Sequence, residues 1–293
     1  MSICYADMQL FISVIVNLEK LMFSMKRPPL YHYTSQVGML GMAQHKSLWL
    51  TNILYMNDSE EYFYGLTIIK EVILEFYDDY LLSRLNSHEV SFQKYPTQFS
   101  FSLSESKDLL SQWRGYCPNG GASLEISDET IQFILNENDN FRIEKCIYQR
   151  EEIAKLVIDN IVQISPDDYK LEAEMEKERG PNKARSRRPS DIIEKIFYYL
   201  PFIKHPGFSE EKEWRIVNTP HYNQPMSSIS NEISFRPGKR GLIPYLDISL
   251  KNAPRIFNSA ILSPNDTYPS SLESVKLAMS IEDVKGSEIP YLP

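Results

Sequence analysis

Only three cysteines occur in the 293 residues, Cys4, Cys117 and Cys146, and no two of them stand in a Cys-x-x-Cys spacing. That excludes a disulfide framework and a zinc knuckle and fits a reducing, cytoplasmic setting. Cations are in the minority, with 31 Lys and Arg against 39 Asp and Glu, a net charge of −8. A protein that wraps nucleic acid with its whole surface is therefore excluded, because neutralising phosphates needs clustered basic residues. Also lacking are the Gly-x-Gly-x-x-Gly and Gly-x4-Gly-Lys-[Ser/Thr] phosphate loops, the His-Glu-x-x-His zinc helix and the Gly-x-Ser-x-Gly elbow, which removes the standard nucleotide-binding and hydrolase templates. No apolar run reaches the roughly 20 residues of a membrane span, so no membrane partner is expected. The run from Met8 to Leu18 has neither a basic segment before it nor a small-residue cleavage site. Residues 1–27 are accordingly read as an amphipathic helix, or as an upstream extension of a chain that starts at Met22 or Met25.

Core-forming residues are plentiful, at 42% hydrophobic and 12% aromatic, enough for one elaborate domain over residues 28–293. Short strands are predicted at LYHYT (30–34), SLWLTN (47–52), TQFSFSLS (97–104), ASLEIS (122–127) and NFRIEKCIY (140–148). Four more follow at 213–217, 232–237, 242–250 and 259–264. Helical spacing falls between them, at 36–44, from about Asp58 to Leu85, and at 106–116. Asp58 with Glu61 makes a capping-box-like start, and this NDSEE segment supplies too few oxygens for a hard cation, so no metal site is expected. Strands at both ends and helices between them give an α+β fold with a helical insertion.

Residues 165–190 carry almost no large apolar side chains and are expected to form a charged, mobile insertion. Its basic stretch, Arg179 to Arg188, is either a solvated loop or a contact for a phosphate-bearing partner.

The stretches LYHYTS, LWLTNILYMNDSEE, FSFSLSESKDLLSQWRGY, EEKEWRIV and LIPYLDISL, in this order, resemble the bacterial family called domain of unknown function 2971. The likeness runs from Leu30 to Ser263, apart from the charged insertion. A more distant resemblance is to mono-ADP-ribosyltransferases, which place a His or Arg on the first strand, a Ser-rich strand in the middle and a Glu-x-Glu before a later strand. Here those positions are His32, Ser100 with Ser102, and Glu211 with Glu213; the middle strand reads Ser-Phe-Ser where that family has Ser-Thr-Ser.

The resemblance implies a mixed, split β-sheet and NAD as substrate. Breaking the nicotinamide glycosidic bond builds oxocarbenium-like positive charge, which a nearby carboxylate stabilises. Glu213 is the expected catalytic carboxylate, and Glu211, on the same side if the backbone is extended, would orient or deprotonate the acceptor. His32 would hold a ribose hydroxyl, and Tyr33 or Tyr31 would stack on nicotinamide. Thr34, Ser100, Ser102 and Arg215 complete the expected cofactor set, although Arg215 could equally be an ion-pair partner of Glu213. His32, Ser100 or Ser102, and Glu213 should then meet at one cleft. With Glu213 on the opposite side of the sheet from His32, the transferase reading would fail.

The implied activity is ADP-ribosyl transfer to a macromolecular acceptor, protein or nucleic acid, in a bacterial toxin or anti-phage defence effector with an antitoxin or complex partner. The alternatives are a non-enzymatic nucleotide- or nucleic-acid-sensing module of a defence complex, and an NAD glycohydrolase.

Overall fold

The computed structural model describes residues 27–56, 60–77, 97–137, 140–179, 189–218, 232–238, 241–266 and 268–290, with a few positions between 79 and 86. The predicted N-terminal segment, the Asp58 cap and the basic stretch 180–188 lie outside the described residues.

Strand β1 (Leu30–Ser35) leads into helix α1 (Gln36–His45), because the Ser35 hydroxyl accepts from the Gly38 N–H and so caps the first turn. Strand β2 (Ser47–Asn52) follows, then helix α2 (Glu60–Phe76) and strand β3 (Phe99–Ser104). Helix α3 (Leu110–Tyr116) precedes β4 (Gly121–Ile126). Gly121 has a φ of +155°, and a Cβ there would lie 2.1 Å from the Thr34 carbonyl oxygen, so close approach of β1 requires glycine at this position.

The rest of the fold comprises α4 (Asp128–Glu137), β5 (Phe141–Lys145), α5 (Arg150–Leu156) with a π turn at Val157–Val162, α6 (Pro166–Arg179) and α7 (Pro189–Tyr199). Then come β6 (Glu213–Asn218), β7 (Ile233–Gly238), β8 (Gly241–Ser249), β9 (Phe257–Leu262), α8 (Pro269–Met279) and β10 (Asp283–Gly286).

The fold is α+β, with ten strands in one mixed sheet; β9 and β10 are parallel and the other pairs antiparallel. One face packs on the first core, built from Leu30, Leu48, Phe101, Leu103, Leu124, Trp214 and their neighbours. A second, helical cluster joins α2, α5 and α7 through residues such as Ile69, Ile153 and Ile193.

Pro166–Arg179, expected within a charged, mobile insertion, is a helix. The Ser165 hydroxyl caps it, accepting from the Asp168 N–H and donating to the Asp168 carboxylate, and Asp167 and Asp168 favour its positive end. Its apolar residues do not gather on one face, so periodicity gave no sign of it. The closing α8 and β10 were also unforeseen.

Strand β3 positions the site. One of its edges pairs with β6 from Ser100 opposite Val217 to Ser104 opposite Glu213. The other edge is shared, with β2 reaching Phe99 and Ser100 and β1 reaching only Ser104, opposite Tyr31. Between those contacts β1 and β2 part, and the sheet forks at the middle of β3.

Candidate active site

A small cleft, open to solvent, lies where β1 leaves β3. Tyr31, Ser104 and Glu213 sit opposite one another across β1, β3 and β6, so their side chains share a sheet face. Along β3 and β6 the same alternation adds Ser102 and Arg215 to that face.

The floor is an ion network. Arg215 donates to both Glu213 oxygens, from Nε to Oε1 at 2.8 Å and from Nη2 to Oε2 at 3.0 Å, and its Nη1 donates to the Pro201 carbonyl. Lys204 Nζ donates to Glu213 Oε2 at 2.7 Å and to Glu211 Oε2 at 2.6 Å. The Glu213 N–H is taken by the Tyr148 hydroxyl. Two cations and two carboxylates thus balance, and Lys204 is only 2% exposed. Burial opposes the Glu213 charge, but Arg215 and Lys204 together overcome it and hold the carboxyl at about 2.

Glu211 and Glu213 do reach the same partner, but not through an extended backbone. Lys212 between them is left-handed, with φ 44° and ψ 50°, and ends the 3-10 turn Pro206–Glu211. The Ser104 hydroxyl, donating to the Glu211 carbonyl at 2.6 Å, pins that turn to β3.

His32 borders the cleft from the other side. Strand alternation sets it with Leu30 on the first-core face, and its ring stacks on Phe101 at 4.0 Å. Nδ1 lies 2.9 Å from the Ser102 carbonyl oxygen, in the stretch of β3 edge between the β1 and β2 pairings. Because a carbonyl only accepts, Nδ1 carries the proton and Nε2 is the acceptor nitrogen. Burial lowers the ring to about 4, against the raising effect of the Ser102 bond, so it is neutral at pH 7. His32 pins the fork; it does not stand over Glu213 as a catalytic partner.

A group whose folded value lies below its unfolded one stabilises the neutral fold fully above about 6.5, and that stability is lost as pH falls toward 4. His32→Asn keeps a donor for Ser102 but cannot titrate. Denaturation midpoints followed from pH 7 to 4 should therefore decline less steeply in the variant; equal slopes would show that His32 does not carry this dependence.

Tyr33 lines the cleft, but its ring and hydroxyl are engaged within the protein. Its ring meets Trp113 edge-on at 4.7 Å, and its hydroxyl donates to the Ser106 carbonyl and accepts from the Leu109 N–H. It fixes the approach to α3 instead. That placement turns Gln112 and Tyr116, one turn apart, into the cleft. Burial and the Glu213 and Glu211 charges push the Tyr116 phenol up, keeping it protonated. Tyr31 remains a cleft-lining aromatic.

Among the other expected residues, Ser102 lines the cleft, whereas Ser100, Thr34 and Arg215 do not. Ser100 is buried under the sheet's β6 side, the Thr34 hydroxyl presses on Gly38, and Arg215 is turned to Glu213 and Pro201. Arg215 is the ion-pair partner, so a pyrophosphate contact from it is ruled out by burial.

Sequence reasoning did not single out Lys204, Tyr148, Gln112 or Tyr116 as site residues. The one available signal was a lysine closing the apolar run Leu200-Pro-Phe-Ile, where a buried cation must find carboxylates.

Among the described residues, no helix is long and apolar enough to cross a membrane, and no group of three His, Cys, Asp or Glu could hold a metal ion. No curated protein and no solved structure matches the chain. The family described as "Protein of unknown function (DUF2971)", whose likeness the YHYT, Trp-x-x-Tyr and Glu-x-Glu-x-Arg stretches carry, matches residues 112–216, the span that holds Gln112, Tyr116, Lys204 and both cleft carboxylates.

Proposed function

We propose that the chain is an NAD-consuming ADP-ribosyltransferase with a macromolecular acceptor, built on an ADP-ribosyltransferase-like split sheet. The observation that carries the reading is the Glu211-x-Glu213 pair set at a cleft where β1 and β3 part.

The roles within the pair differ from the sequence reading. Glu213 has both oxygens occupied by cations and serves as the anchor of the floor. Glu211, with its side chain 13% exposed, is the working carboxylate. In the reaction the bond between ribose C1′ and the nicotinamide nitrogen breaks, and the electron pair leaves with nicotinamide. Glu211 stabilises the positive charge that develops on the ribose. The acceptor then bonds to C1′ and gives up its proton to Glu211. In this reading the nicotinamide-ribose end of NAD faces Glu211 and the pyrophosphate lies beyond the cleft, because the floor cations are engaged. A role as bacterial toxin or anti-phage effector follows from the resemblance.

A second reading is a nucleotide-binding module without turnover. It is favoured by the charge balance of the floor and by His32 standing on the sheet face opposite Glu213, the arrangement set against transfer; for transfer stands that both residues line the one cleft at the fork. Incubation with NAD labelled in the adenylate half, beside a bacterial lysate as acceptor source, distinguishes them. Label on a macromolecule is the expected result. Free ADP-ribose alone would indicate hydrolysis instead, and intact NAD would leave the binding module.

A further inference from the structure

We infer that Gln112 reads an edge in which a hydrogen-bond donor and an acceptor stand side by side on a planar ring, as in an aromatic carboxamide or the N6/N7 edge of adenine. The inference deepens the NAD reading of the same cleft by naming what the cleft recognises.

Gln112 lines the cleft and is 7% exposed, yet no hydrogen bond is made to its side-chain amide by any described residue. What remains exposed of Gln112 is its amide, which meets the solvent of the cleft and is open to a ligand there. A second observation is independent of it. The Ser102 hydroxyl, on the cleft's β3 wall, is also buried and without a partner. Tyr116, one turn beyond Gln112, adds a protonated phenol that likewise makes no hydrogen bond to a described residue.

Lys204, Arg215 and Glu213 are engaged with one another, so beside the Glu211 carboxylate the cleft offers a ligand neutral hydrogen bonding between tyrosine rings. A glutamine amide offers one acceptor and two donors in a plane, and pairs face to face with a donor and acceptor of the same spacing.

The test uses the full chain with nicotinamide and adenosine as separate probes, followed by calorimetry, and the variant Gln112→Met. Methionine keeps the length of the side chain and removes both the donor and the acceptor. Binding of either probe should weaken roughly tenfold or more in the variant, and the probe that binds identifies the source of the edge. 3-Acetylpyridine, which lacks the amide donor, should bind the unaltered protein more weakly than nicotinamide if the carboxamide is the edge.

Because the amide is unpartnered in the ligand-free protein, the variant's melting temperature should stay level or rise. A fall would mean that the amide makes a structural bond, and the inference would be wrong. It would be equally wrong if neither probe bound, or if Gln112→Met bound them unchanged. Probe binding that depends on Gln112 without NAD turnover would remove the transferase and leave this inference standing. Turnover with binding indifferent to Gln112 would do the reverse.

Discussion

Glu213→Gln should lower unfolding stability by about 3–5 kcal/mol at neutral pH, the scale for taking one partner from a buried ion network. Gln keeps the size of the side chain but removes the charge to which both Lys204 and Arg215 donate. Urea midpoints measure the loss. The pH dependence gives a second check, since Glu213 titrates at about 2 in the folded chain against an ordinary value near 4.5. Its stabilisation is therefore complete above about 4.5 and is lost as pH falls toward 2, where variant and parent should converge. A variant as stable as the parent at pH 7 would mean that the network does not hold the floor together, and would return Glu213 to candidacy as the reacting carboxylate.

Glu211→Gln should have the opposite profile. Lys204 keeps Glu213 as a partner, so stability should change by only about 1 kcal/mol. NAD turnover should fall about a hundredfold or more, the effect of deleting one preorganised electrostatic group. The readout is the initial rate of nicotinamide release from protein whose midpoint has been shown to be unchanged. If Glu211→Gln releases nicotinamide at the parental rate, Glu211 is not the working carboxylate.

Several elements were legible in the sequence because they depend on local pattern. SLWLTN alternates and is β2 over the predicted residues, and the alternation of Glu213 and Arg215 correctly placed them on one face. The likeness to the uncharacterised family rested on motifs from the same stretches, and part of it is matched by residues 112–216.

What a strand residue touches across a fork is not local. His32 looked like a site residue because it is a polar ring on a first strand. Its role depends on β1 meeting β3 at a single position, so that its ring, in place of a ladder bond, serves the Ser102 carbonyl. Tyr33 looked available for stacking until α3 brought Trp113 against it.

The sequence alone determined the α+β class, the strand faces and the acidic Glu-x-Glu, since each follows from backbone periodicity and residue type within a few positions. Only the tertiary structure decided that Lys204 neutralises that pair, that Gln112 reaches the cleft and that Arg215 does not. Those outcomes depend on burial and on contacts between residues far apart in the chain, whose energies no local spacing encodes.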